Sequence, residues 1–137
     1  MIVLVDTVVW AEYFRRRSRL TTDQLDRLDG LIEDDLAAIV QPIRAELLSG
    51  RVKKEREAEL RAALRALRAI DLDWNAEDTW DSIARCARDA RDAGIPVTGV
   101  VDRMVLLAAE AARVELWTLD TPLLRLAKSR GVTVFAG

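Results

Sequence analysis

Four carboxylates, Asp6, Glu46, Asp102 and Asp120, are the residues of this chain whose type and placement can do chemistry. The three aspartates each follow a short apolar, strand-like run. The sequence has no histidine and a single cysteine, which removes the usual general base of neutral pH and with it the Ser-His, Cys-His and paired-His mechanisms. Catalysis in such a chain must rest on acids. In open α/β sheets ligands gather outside the carboxyl ends of the strands, where Asp6, Asp102 and Asp120 are expected to emerge. Glu46, one helical turn beyond the second apolar run, is expected to reach the same edge. Four anions at one point repel one another and resist desolvation unless a divalent cation compensates them. Oxygen donors without imidazole or thiolate favour Mg²⁺ or Mn²⁺ over zinc or copper. Water on such an ion becomes hydroxide more readily and can attack a phosphodiester.

The elements that must position these acids alternate between strand and helix. Ile2–Val5 is a continuous apolar run fit for a strand buried on both faces, and the spacing of Val9, Trp10, Tyr13 and Phe14 predicts a helix closed by Arg15, Arg16 and Arg17. After a loop through Ser18 and Arg19, Thr22 is a candidate cap for a helix carrying Leu25, Leu28, Leu31 and Ile32 across Gly30. Leu36–Val40 reads as the second strand, and Pro42 opens a helix that bears Ile43, Glu46, Leu47 and Leu48. Residues 53–67 predict a longer helix, 70–72 a brief edge strand, and 75–93 a helix with Trp80, Ile83, Ala84 and Ala87 inward and Gly94 as its stop. A weak strand follows Pro96, Asp102 opens the next helix, Glu115–Leu119 is β-rich, 122–128 is helical and Val132–Phe135 is a final strand. This order implies a single α/β domain over residues 1–137 with a mostly parallel sheet.

Composition narrows the function classes. At 137 residues and 50% hydrophobic content, the chain can build one core without disulfides. Cys86 lies in a helical pattern and reads as core filler in a reducing, cytoplasmic setting, with no second cysteine to resolve it. Met1–Val5 is far shorter than the apolar stretch of an export signal, and no window approaches a membrane span. A formal charge of −2 argues against a polycation that coats nucleic acid.

The segments Ile-Val-Leu-Val-Asp6-Thr7, Ile43-Arg-Ala-Glu46-Leu47, Val100-Val-Asp102 and Thr118-Leu-Asp120 occur in a telling order. Eighteen positions separate Asp102 from Asp120, room for one helix and one strand. In these motifs, along essentially its whole length, the chain resembles the PIN-domain family, and in particular the VapC-type toxins of bacterial toxin-antitoxin pairs. The resemblance implies a PIN-like three-layer α/β/α sandwich. It also implies a Mg²⁺-dependent endoribonuclease acting on tRNA or ribosomal RNA. Asp6, Glu46, Asp102 and Asp120 would be its metal-holding acids, with Thr7 and Thr118 as supporting hydroxyls. Its implied partners are a cognate VapB-type antitoxin, whose tail covers the pocket, and a second copy of the chain in a homodimer. The chain departs from the family at Val8, where Ser or Asn is common, and at Leu119, where a polar residue is common.

Blander readings stand beside these. Each acid could simply cap the helix that follows it, and Glu46 could face Arg44 or Arg51 on an exposed surface. The basic clusters at Arg15–Arg19 and Lys53–Arg65 could grip phosphates or be ordinary solvated charge. Trp10, Trp80 and Trp117 read as core, whereas Trp74 is left open to base stacking. Two rival functions remain: a catalytically inactive PIN-like interaction module, and a phosphotransferase of the haloacid-dehalogenase kind. The latter wants a second Asp where Val8 stands.

Overall fold

The computed structural model describes residues 1–15, 19–50 and 52–137. Among these the elements run β1 (Val3–Val5), α1 (Thr7–Phe14), α2 (Thr22–Glu33), β2 (Ala37–Ile39), α3 (Gln41–Ser49) and α4 (Lys54–Arg65). They continue with β3 (Arg68–Ala69), α5 (Glu77–Asp92), α6 (Val100–Ala112), β4 (Glu115–Trp117) and α7 (Thr121–Ser129). All the pairings are parallel, in the order β3-β2-β1-β4. The chain therefore moves outward from β1 to β3 and then returns past β1 to place β4 on its other side. Crossovers in both directions from β1 distribute the helices over two faces, as in a PIN-like α/β/α sandwich.

β1 is apolar and wholly buried because helices cover it on both sides. Around it pack Val9 and Trp10 of α1, Ile43 of α3, Val105, Leu106, Ala108 and Ala109 of α6, and Leu123 and Leu126 of α7. Cys86 lies in this core, in keeping with its sequence pattern. Of the helix leucines, Leu28 and Leu64 are buried and Leu25 and Leu60 pack against the core. Among the described residues no helix is long and apolar enough to cross a membrane.

Several expectations need correction. Thr21 rather than Thr22 caps α2, in a reciprocal box in which Thr21 Oγ1 accepts from the Gln24 amide at 3.1 Å and Gln24 Oε1 accepts from the Thr21 amide at 2.9 Å. The edge strand is Arg68–Ala69, two residues before the apolar 70–72 run, because an exposed edge is held by backbone pairing and carries no hydrophobic signature. The segment between Pro96 and α6, expected to hold a weak strand, joins no sheet among the described residues. The C-terminal strand is reduced to a bridge between Val134 and Leu116. Trp80 and Ala84 are exposed, and α5 turns Ile83, Cys86, Ala87 and Ala90 inward instead. The Trp80 indole donates to the Trp74 carbonyl at 2.7 Å, and Trp74 itself packs partly against the core.

Candidate active site

β1 is the strand at which the crossover direction reverses, with β2 on one side and β4 on the other. Such a switch point opens a crevice at the carboxyl edge. Asp6 stands there as the residue after β1, only 2% exposed. One of its oxygens accepts from the Thr7 amide at 2.8 Å and so caps α1; the other accepts from the Thr118 hydroxyl at 2.7 Å. Thr118, the residue after β4, also accepts from the Asp120 amide at 3.1 Å. One buried hydroxyl thus fixes two acid-bearing loops against each other.

Asp120 caps α7 by accepting from the Leu123 amide at 2.9 Å. The capping alternative is therefore realised for Asp6, which gives its second oxygen to the Thr118 hydroxyl, and for Asp120. It is not realised for Asp102. Gly99 is the residue at the α6 N-terminus, and Asp102 lies in the helix's first turn, following no strand. Val100 and Val101, read from sequence as the end of a strand, are instead helical. Among the described residues no hydrogen bond or ion pair engages the Asp102 carboxylate.

Glu46 comes in from α3, which packs against both α1 and α6. Its Oε1 accepts from the Thr7 hydroxyl at 2.6 Å across 39 positions of sequence, so it does not face Arg44; Arg51 lies outside the described residues. Thr7 joins two acids through its amide and its hydroxyl, as Thr118 does through its hydroxyl alone.

Electrostatics shows how closely the four approach. Burial, and then the charges of Asp6, Asp120 and Glu46, push the Asp102 carboxyl up from 3.8 to about 6. Burial raises Asp6 as well, against the hydrogen bonds from Thr118 and Thr7, and Glu46 and Asp120 add to the rise. The structure thus brings all four acids into mutual repulsion at one edge. Among the described residues, however, no three of them meet in an arrangement that could hold an ion as placed. Asp6, Glu46 and Asp120 are each turned to a hydroxyl or an amide, and Asp102 is not. The donor chemistry nonetheless suits a hard cation, since every donor is an oxygen and Asp102 has both of its oxygens unengaged.

The rim of the cluster is apolar at Val8 and Leu119. Val8 is 38% and Leu119 39% exposed, so neither supplies a hydrogen bond to the acids. Of the basic clusters, Arg15 and Arg19 are drawn to the buried Glu12 at 3.0 and 3.2 Å, while Arg16 and Arg17 lie outside the described residues. Arg61 pairs with Glu57 at 3.0 Å. Two further features were not legible in the sequence: a groove of about 830 Å³ between α1, α3 and α4, floored by Ala11, Phe14, Leu47 and Leu60, and a smaller cavity beside β2 and β3.

Curated relatives match the sequence over most of its length. The Mycobacterium tuberculosis ribonuclease VapC11 and the Mycobacterium bovis VapC ribonuclease Mb1587 are each 32% identical over 114 residues, covering 82% of this chain and 80% of theirs. The chain belongs to the VapC ribonuclease family. Solved structures agree on the fold of this VapC-family chain. The VapBC2 complex from Rickettsia felis, bound to a promoter DNA fragment, matches with a TM-score of 0.73 at 18% identity, over 98% of both chains. FitAcB from Neisseria gonorrhoeae matches with a TM-score of 0.70 at 20% identity, over 98% of this chain and 96% of that one. No family model matches the sequence.

Proposed function

We propose that this chain is a Mg²⁺-dependent endoribonuclease, the toxin of a toxin-antitoxin pair, acting in the cytoplasm on structured RNA of the tRNA or ribosomal class. The observation that carries the reading is the self-repelling cluster of Asp6, Glu46, Asp102 and Asp120 at the switch point. Charge of one sign gathered in a crevice without compensation is costly and marks a place where a counter-ion is used. Its curated relatives are named ribonucleases.

In this reading Asp6 and Asp102 hold the principal ion, Glu46 orients it or its water, and Asp120 completes the pocket; Mn²⁺ substitutes. The bound cation supplies an activated water and charge stabilisation for the departing oxygen. The chain's own contribution is positional. Thr118 fixes the Asp6 carboxylate and the Asp120 loop, and Thr7 aims Glu46. Hydrolysis by water leaves a 5′-phosphate and a 3′-hydroxyl. End-group analysis of cleaved RNA tests this: a cyclic phosphate, or cleavage that survives both chelation and Asp6→Asn, contradicts it.

A VapB-type antitoxin is the proposed partner, supported by structural neighbours that are toxin-antitoxin complexes. The 830 Å³ groove, apolar on its floor and edged by Arg15, Lys53, Arg56 and Glu59, suits a partner segment carrying apolar and charged residues. A homodimer belongs to the same proposal, and a monomeric mass both alone and with antitoxin would reject it. The rival, an inactive interaction module, draws on the apolar rim at Val8 and Leu119; RNA cleavage abolished by Asp6→Asn excludes it.

A further inference from the structure

The smaller cavity, about 310 Å³, opens at the carboxyl ends of β2 and β3, between the start of α3 and the end of α4. Its walls are apolar, formed by Ile39, Val40, Leu64 and Ala69, and its charged lining is Arg44, Arg65 and Asp71. Asp71 is already engaged. Its Oδ1 accepts from the Gln41 amide at 2.7 Å and from the Trp74 indole at 2.7 Å. Among the described residues no hydrogen bond or ion pair engages either guanidinium. Arg65 lies in the last turn of α4, where a cation complements the helix dipole and needs no further explanation. Arg44 lies in the first turn of α3, where the dipole disfavours a cation, and the Asp71 carboxylate at that helix end is held by the Gln41 amide rather than by Arg44. Two guanidinium groups against one carboxylate leave the cavity a net positive charge over apolar walls, which suits an anion attached to a flat apolar body.

Location identifies that ligand. β2 lies directly against β1, whose next residue is Asp6, so adjacent strand spacing sets the cavity about 5–10 Å along the sheet edge from the acids. The volume is at the small end of ligand pockets, which run from about 300 Å³ upward, and admits one nucleoside rather than a helix. Building on the ribonuclease reading, we infer that this cavity seats one nucleotide of the RNA strand beside the scissile phosphodiester. Arg44 and Arg65 hold its phosphate and the apolar walls receive its base.

The test uses full-length Asp6→Asn protein and a labelled single-stranded RNA that it leaves uncut. Arg44→Gln and Arg65→Gln, each added to that background, should weaken binding roughly 5–10-fold and reduce the salt dependence by about one phosphate contact. In the cleaving protein the loss should fall on KM rather than kcat. Lys128→Gln, in the last turn of α7 at the opposite edge of the sheet, serves as the control for lost charge. Affinities and salt slopes equal to those of the control would overturn the inference, as would loss of acidic-peptide binding with RNA binding intact. Should the unmutated protein cut no RNA while binding still depends on Arg44 and Arg65, the subsite stands and the nuclease reading falls.

Discussion

Helix α1 carries a buried carboxylate at each end, and the two are treated in opposite ways. Glu12, near its C-terminus, is 1% exposed and accepts from the Arg19 amide at 2.9 Å. That bond, together with the Arg19 and Arg15 guanidinium groups, holds its carboxyl below the ordinary value. Asp6, at the N-terminus, is 2% exposed and has a hydroxyl and an amide, but its charged neighbours are other acids, and its carboxyl is raised. Donors and cations gathered around Glu12 make it a clamp on the loop after α1. Acids gathered around Asp6 leave a local charge that the fold does not neutralise. Structural carboxylates are compensated from within, and Asp6 lacks such compensation, which is the contrast the proposed metal site rests on.

The largest effect that can break this contrast is catalytic. Asp6→Asn or Asp102→Asn should lower RNA cleavage roughly 10³-fold, about 4 kcal/mol of barrier, in a discontinuous assay with Mg²⁺. Glu12→Gln should instead retain cleavage and lower the melting temperature by roughly 5 °C, since it removes the charge that its donors were arranged to meet. A cleavage loss of equal size in Glu12→Gln would erase the distinction.

Stability against pH sharpens it through opposite signs. The Asp102 carboxyl is raised from 3.8 to about 6, so its contribution is fully present below pH 4 and is lost as pH rises through 6. In chelator, Asp102→Asn should therefore stabilise the protein at pH 7 by about 1–2 kcal/mol after allowance for solvent screening, measured by urea denaturation. Glu12 is depressed, so its contribution is present at neutral pH and is lost on acidification below about pH 4. Thr118→Val, the smallest change, leaves an Asp6 oxygen and the Asp120 amide without their shared hydroxyl. It should cost about 1 kcal/mol of stability and roughly 10-fold in cleavage. An unchanged rate would mean that Thr118 does not position the acids.

The sequence made much of this legible because the decisive elements have strong local patterns. Ile2–Val5 announces a strand buried on both faces, and Asp6-Thr7 is tied by spacing to the start of a helix. Asp120 before Thr121 and Pro122 reads the same way. What escaped the sequence depends on tertiary pairing. β3 is an exposed pair of residues held only through β2. Asp102 comes from the first turn of α6 rather than from a strand end, because the segment after Pro96 joins no sheet. The contrast between Arg15, drawn to Glu12, and Arg44, without an ion pair among the described residues, is likewise invisible until distant segments are placed.

Manganese-edge anomalous diffraction from crystals grown with Mn²⁺ tests the central claim most directly. The account expects a peak enclosed by Asp6, Glu46, Asp102 and Asp120, with the carboxylates drawn together from their present spacing and the peak lost in Asp6→Asn. Acids that stay apart with no density between them, or an ion held elsewhere on the molecule, would contradict it.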